Sequence, residues 1–196
     1  VVKRTAVIKR KTSETDIKVS IDLNGRGSST AKTGIPFMDH MIAQVAKHGL
    51  IDISVIARGD LQVDAHHTVE DIGICLGKCL AKALGDKKGI NRFGSATVPM
   101  DESLVMAALD LSGRSLLSFQ IPIKKKYLGT FETELVEEFF RAFASNAEAT
   151  LHIMALSGKN THHLIEAAFK AFGRALGEAV KRRSGISGVL STKGKL

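Results

Sequence analysis

The chain is poor in the residues that stack, staple or anchor. It has no tryptophan, one tyrosine and nine phenylalanines among 196 residues, and the phenylalanines fall at core-like positions. No aromatic platform for nucleic-acid bases is left over. An aromatic strand of the RNA-recognition type, a zinc-finger spacing and an interleave of aromatic with basic residues are all missing, so no nucleic-acid partner is expected. No run of about 18 uncharged apolar residues occurs, and no membrane span is expected. The opening Val1-Val2-Lys3-Arg4 is not followed by the apolar run of a signal peptide. The two cysteines, Cys75 and Cys79, sit four apart in a helical pattern. They read as small buried hydrophobes rather than a disulfide, and the expected compartment is the reducing cytoplasm.

Acid is also in deficit, with 20 Asp and Glu against 28 Lys and Arg, a formal net charge of +8. That balance suits an anionic partner, and by itself it does not choose between nucleic acid, a phosphorylated metabolite and an anionic subunit surface. The basic residues are dispersed apart from Lys3 to Lys11, Lys124-Lys125-Lys126 and Lys181-Arg182-Arg183. With 44% hydrophobic residues and three prolines, the chain is globular rather than disordered. Its length fits one domain or two small ones.

Pattern is concentrated in the histidines. His66-His67-Thr68-Val69-Glu70-Asp71 returns as His162-His163-Leu164-Ile165-Glu166-Ala167. Both copies run into matching helical stretches, Cys75-Leu76-Gly77-Lys78-Cys79-Leu80 and Ala171-Phe172-Gly173-Arg174-Ala175-Leu176. Positions i and i+4 share a helix face, so His66 and Glu70 converge, as do His162 and Glu166. His67 and His163 are rotated about 100° from their neighbours and point at something else. One metal would need only one histidine of each pair, so the doubled pairs suggest two metals.

The rest of the chain follows the same duplication. Asp16 to Leu23 alternates as a half-buried strand, with a weaker edge strand at Thr5 to Lys11. Asn24-Gly25 turns into the polar segment Arg26 to Lys32. A helix runs from about Ile35-Pro36 to His48-Gly49, a strand over Leu50 to Ile56, a short strand at Leu61 to Val63, and the first His-His helix to about Leu84. The second half offers a strand within Val98 to Leu111, another at Leu116 to Ile123 ended by Pro122, a helix at Thr133 to Ala144, a strand at Ala149 to Leu156, and the second His-His helix to about Lys181. The expected units are residues 1–93 and 94–191, packed as one globular body, with residues 182–196 as an aperiodic tail. The expected class is α+β, an internally duplicated two-layer unit with a mostly antiparallel sheet and two helices per half. His40 precedes His66 by 26 residues and Glu138 precedes His162 by 24, so the first helix of each half offers one ligand at the same place. The candidate set is His40, His66, His67, Glu70, Glu138, His162, His163 and Glu166, enough for two sites of four. His152 has no doubled partner and is read as structural.

At these residues the sequence resembles the imidazoleglycerol-phosphate dehydratase family, the lyases of histidine biosynthesis. The resemblance extends over nearly the whole chain, through Phe37-Met38-Asp39-His40-Met41, Asp64 to Asp71, Arg92-Phe93-Gly94, Pro99-Met100-Asp101-Glu102, Asp110 to Arg114, Gly158 to His163 with Glu166, Phe169 to Phe172 and Ser191-Thr192-Lys193-Gly194. It implies a cubic homo-oligomer of 24 chains and two Mn²⁺ ions per active site held between subunits. One ion would take His40, His67, His162 and Glu166, and the other His66, Glu70, Glu138 and His163. It also implies substrate contacts from Glu14, Gln44, Arg92, Arg114, Lys170, Ser191 and Lys193, with Thr192 in the same tail segment. The chain departs from the family's common pattern at Glu138, where many members have histidine, and at Thr192, where serine is usual.

The implied reaction is loss of water from D-erythro-imidazoleglycerol phosphate to give imidazoleacetol phosphate. Its hard step removes a proton from the carbon beside the imidazole. Divalent ions at the two ring nitrogens would make the ring an electron sink. Glu14 is the candidate acid or base, with Glu70 and Glu166 acting beyond ligation, and the basic residues suit the phosphate. The aperiodic tail, which carries Lys193, is expected to close over the bound anion. Imidazole and carboxylate ligands suit several divalent metals, so manganese comes from the resemblance alone. Two other classes remain open from the residues themselves, a dinuclear hydrolase and a basic assembly protein stabilised by metal.

Overall fold

A computed structural model describes residues 3–196; Val1 and Val2, part of the stretch read for a leader, lie outside the described residues. The first sheet is built on the alternating strand Thr15–Asp22 (β2), which buries Thr15, Ile17, Val19 and Ile21. Thr5–Lys11 (β1) flanks it as an edge strand. On its other side lies Asp52–Gly59 (β4), with Ser29–Lys32 (β3) at the far edge, giving the order β1-β2-β4-β3. Every neighbouring pair is antiparallel except β3 with β4. Between the strands run two helices, Pro36–Gly49 (α1) and His66–Leu84 (α2). Proline stands in the first turn of α1, where its missing N–H costs nothing, and Gly85 at φ 59° closes α2.

The second sheet repeats this plan. Phe93–Met100 (β5) and Ser103–Asp110 (β6) form a hairpin, followed by Leu116–Gln120 (β7), and after a small ribbon of Tyr127–Leu128 (β8) and Phe131–Glu132 (β9) comes Thr150–Ser157 (β10). The order β5-β6-β10-β7, with only β7 and β10 parallel, matches the first sheet position for position. Its helices are Leu135–Ala147 (α3) and Thr161–Val180 (α4). The duplicated α+β unit expected from the sequence is present.

Two local expectations need correction. Leu61 to Val63 is a turn closed by Val63 N–H donating to Asp60 C=O at 2.8 Å, and its apolar side chains are exposed because no strand lies beside them. Arg26 to Lys32 hides strand β3, whose residues show no apolar alternation and which exists by backbone pairing to β4. The strand expected within Val98 to Leu111 is Ser103–Asp110, and the chain reverses ahead of it at Asp101-Glu102, Asp101 adopting φ 48°.

The helices pair across the halves. α2 packs on α3 and α1 on α4, while α2 and α1 also cover the first sheet and α4 and α3 the second. The layers therefore run sheet, helix pair, helix pair, sheet. Glycine permits the close approach at duplicated points: a Cβ at Gly77 would stand 2.6 Å from Phe143 C=O in α3, and one at Gly173 would stand 2.8 Å from Val45 C=O in α1. Five of the phenylalanines cluster within the second half, Phe139, Phe140 and Phe143 of α3 packing tilted or edge-on against Phe169 and Phe172 of α4. Buried Phe side chains contribute roughly 1.5 to 3 kcal/mol each, so these contacts hold α3 and α4 together within the second half. Among the described residues, no helix is long and apolar enough to cross a membrane.

Candidate metal and substrate site

Both histidine pairs open a helix, and both openings are capped alike. His66 N–H donates to Asp64 Oδ1 at 2.7 Å, and His162 N–H to Asn160 Oδ1 at 2.9 Å. Each side chain satisfies an orphan donor of the first turn. The rings within each pair stand edge to face, 6.1 Å apart at 83° in α2 and 6.3 Å at 85° in α4. Adjacent positions thus present two imidazoles in different directions, as the helix rotation requires.

At α4 the cluster is assembled within one chain. His162 Nε2 lies 3.1 Å from Glu166 Oε2, and His40 Nε2, from α1, lies 3.5 Å from the same oxygen. Ligand atoms of His40, His162 and Glu166 all fall within 4.8 Å of one another. Gln44, one turn after His40, places Nε2 3.3 Å from His40 Nε2, and Phe37 packs edge-on against His162. Glu166 is 6% exposed and its second oxygen accepts from Lys170 Nζ at 2.8 Å. Burial opposes ionisation of Glu166, but Lys170, His162 and His40 outweigh it and hold the carboxyl below its ordinary value. Two imidazole nitrogens and an ionised carboxylate converging on one point suit a borderline divalent cation.

Among the described residues, the remaining candidate ligands do not join a cluster of three. His67 Nδ1 pairs with Asp60 Oδ2 at 3.0 Å, with Glu14 Oε2 at 3.9 Å. His163 Nδ1 pairs with Glu102 Oε2 at 2.8 Å. Asp60 pushes the His67 imidazole above its ordinary value, and Glu102 does the same for His163. In return His163, then the backbone N–H groups of Asn160 and Lys159, hold Glu102 far below the usual carboxylate range. Glu70 and His66 sit at the start of α2 and, among the described residues, belong to no group of three converging ligand atoms. Glu138 does occupy in α3 the place of His40 in α1: the buried Val136, Phe139, Phe140 and Phe143 around it match Met38, Met41, Ile42 and Val45. Its carboxylate, however, turns to Arg141 Nε at 3.7 Å and lines a cavity with Lys124, Lys125 and Lys126. His152 is exposed on β10 and is not among the three converging ligands.

The candidate phosphate residues gather elsewhere. Arg92, Arg114, Ser191, Thr192 and Lys193 line one cavity of about 940 Å³. Asp110 holds Arg92 in a fork, Nε to Oδ1 at 2.7 Å and Nη2 to Oδ2 at 3.0 Å, while Arg92 Nη1 donates to Leu190 C=O and fixes the tail beside it. Lys170 is not there; it belongs to Glu166. Arg92 N–H donates to Ala179 C=O at the far end of α4 from His162. At about 1.5 Å per residue, the α4 backbone that Arg92 meets lies about 25 Å along the helix from His162.

Sequence reading missed Asp60, Asp110 and Asp71. Asp71 accepts from Arg10 at 2.6 Å and Thr15 at 2.5 Å, clamping both sides of the β1–β2 turn that carries Glu14. Asp60 stands at the turn just before Leu61 to Val63, the segment expected as a strand. The role of Glu102 had a usable signal, because the offset that aligns Asp22-Leu23-Asn24-Gly25 with Asp110-Leu111-Ser112-Gly113 also aligns Glu14 with Glu102.

Comparison with known proteins places this architecture. A family model described as imidazoleglycerol-phosphate dehydratase matches residues 33–176. The imidazoleglycerol-phosphate dehydratase of Acetivibrio thermocellus is 60% identical over 189 residues, 96% of this chain and 97% of its own length. That of Caldanaerobacter subterraneus is 58% identical over 193 residues, 98% of this chain and all of the relative. Among solved structures, the Staphylococcus aureus enzyme superposes with a TM-score of 0.83 at 42% identity, covering 91% of this chain and 99% of that one. The Pyrococcus furiosus enzyme, solved in complex with (S)-C348, gives 0.83 at 39% identity, covering 96% of this chain and 100% of that one.

Proposed function

The chain belongs to the imidazoleglycerol-phosphate dehydratase family and is a dehydrating lyase; on that premise we propose that it converts D-erythro-imidazoleglycerol phosphate to imidazoleacetol phosphate with two Mn²⁺ ions per active site. The observation that carries the reading is the convergence of His40, His162 and Glu166, with Lys170 keeping the buried carboxylate ionised. These three and His67 would hold one ion; His66, Glu70, Glu138 and His163 would hold the other. Bound divalent ions supply Lewis-acid polarisation of the substrate imidazole and a template for its orientation.

The chain's own groups do the rest. Glu14 stands on the β1–β2 turn with its side chain half exposed, and the turn is held rigidly by Thr12 and by Asp71. A carboxylate on a fixed turn, without a tight partner of its own, suits proton removal from the carbon beside the ring. Gln44 orients His40 and contributes a polar wall. Arg92, aimed by Asp110, takes the phosphate with Arg114, Ser191 and Lys193, and the tail's contact with Arg92 brings Thr192 and Lys193 over the anion. The cytoplasm as compartment is in keeping with two free, buried cysteines.

The distance of about 25 Å along α4 between the backbone that Arg92 meets and His162 exceeds what one small substrate spans. This supports an active site completed by neighbouring copies, and the family resemblance gives 24 as their number. The decisive assay incubates Mn²⁺-loaded protein with imidazoleglycerol phosphate and follows both imidazoleacetol phosphate and free phosphate, with the particle mass measured by light scattering. Dehydration without phosphate release, from particles of hundreds of kilodaltons, is expected. Phosphate release would identify a dinuclear hydrolase, and neither product an assembly protein.

A further inference from the structure

Glu14 and Glu102 are repeat mates. Each follows the same turn position ahead of the second strand of its sheet, β2 or β6, and each faces Nδ1 of the outer histidine of its half, His67 or His163. Their situations differ sharply. Glu102 bonds His163 at 2.8 Å through Oε2, while its Oε1 accepts from Asn160 N–H at 2.8 Å, Lys159 N–H at 3.2 Å and Ser103 Oγ at 3.1 Å. Glu14 is 3.9 Å from His67, and the hydrogen bond of that ring's Nδ1 is accepted by Asp60 at 3.0 Å. The cause lies in the loops. β10 reaches His162 through Gly158 to Thr161, and the N–H groups of this short loop clasp Glu102; β4 reaches His66 through the longer Asp60 to Ala65, which brings its own carboxylate.

We propose that Glu102 and Asp60 are equivalent positioning residues that fix the tautomer of His163 and His67 for metal ligation, and that Asp60 releases Glu14 from that task so that it can act on substrate. A carboxylate only accepts, so the nitrogen it faces, Nδ1, must carry the proton, and Nε2 keeps its lone pair for a metal. The inference rests on the two-metal reading above. It also predicts an asymmetry. In Glu102→Gln the amide oxygen stays with the N–H groups of Asn160 and Lys159, so the NH₂ faces His163. Nδ1 must then accept, and the ring proton moves to Nε2, where it blocks ligation. Asp60 Oδ1 has no protein partner among the described residues, so an asparagine there is free to turn its oxygen to His67.

The test titrates Mn²⁺ into metal-stripped full-length protein and counts free ion by electron paramagnetic resonance. Two ions per chain in the wild type test the two-metal reading separately from the proposal. Glu102→Gln should weaken one ion about tenfold to a hundredfold and spare the other. Asp60→Asn should stay close to wild type, and Asp60→Leu should weaken the ion that Glu102→Gln spares. Glu14→Gln should bind both ions normally and lose turnover. In a His163→Ala background, Glu102→Gln should add nothing. Normal binding by Glu102→Gln overturns the proposal; so does a full extra loss in that background, which would mean that Glu102 acts by tethering the loop. If Glu102→Gln does not fold, the contrast of Asp60→Leu with Asp60→Asn decides, equal binding by the two overturning it.

Discussion

The start of α4 and the start of α2 carry the same two histidines and the same glutamate one turn on, yet among the described residues only the first stands as a cluster. The difference comes from the residues around the ligands. Glu166 has Lys170 one turn later and His40 across the helix seam. The repeat mate of Lys170 is Ile74, and the mate of His40, Glu138, is drawn to Arg141. The mate of Gln44 is Ala142. One end of the duplicated body therefore carries a preorganised set of donors, and the other carries donors at the right backbone positions without groups to hold them. Duplication copied the ligand frame; divergence chose which copy to brace.

Substitution at the braced end should have the largest effect. Glu166→Gln leaves Lys170 facing a neutral amide and removes the charge shared by His40 and His162. Nearly all dehydratase activity and about one ion per chain should be lost, counted by plasma emission after desalting. Retention of both ions and of the rate would mean that the cluster at α4 is not the stronger one. At the unbraced end Glu138→Ala should also lose about one ion per chain and most activity, whereas Glu138→His, which copies His40, should keep both ions and a useful share of the rate. Glu137→Ala, rotated about 100° away, should change stability by less than about 0.5 kcal/mol. If Glu138→Ala holds two ions, the repeat does not extend to function at this position.

A third comparison sets metal against phosphate. If Lys193 holds the phosphate as proposed, Lys193→Ala removes a charge-assisted contact of roughly 1.5 to 3 kcal/mol, so kcat/KM should fall on the order of tenfold to a hundredfold with metal content unchanged. A parallel loss of metal would show that the tail supports both ends of the site.

The smallest effect belongs to a difference between the halves remote from chemistry. Asp52 accepts from Ser28 N–H at 2.8 Å and Arg26 N–H at 2.9 Å, and these donors hold its carboxyl below the ordinary value. Its mate, Thr150, instead donates Oγ1 to Arg114 C=O at 3.1 Å. A depressed carboxyl stabilises the fold above its unfolded pKa, and that contribution is lost as pH falls through the lower folded value. Asp52→Asn should therefore lower the thermal midpoint slightly at neutral pH, and the gap from wild type should close below about pH 4. A gap that persists in acid would assign the effect to shape rather than charge.

The residues that could be read in advance were those whose role is local. Period-two burial along Ile17, Val19 and Ile21, the i and i+4 spacing of His162 and Glu166, and the shared position of His40 and Glu138 all follow from backbone geometry, which repeats every two or 3.6 residues and leaves its mark on neighbouring side chains. From these the sequence determined the duplicated α+β plan, the helices that begin with paired histidines, and the candidate ligands. It could not show that α1 would lie on α4 rather than on α2, and that pairing alone brings His40 to Glu166. It did not reveal β3, whose four residues become a strand only beside β4, nor the hairpin turn that sets Glu102 against His163. Two extra residues between β4 and His66 decided that Asp60, not Glu14, holds His67. These choices depend on long-range packing and on loop length, whose energies are shared among residues far apart in the chain, so no window of sequence contains them and only the folded structure settles them.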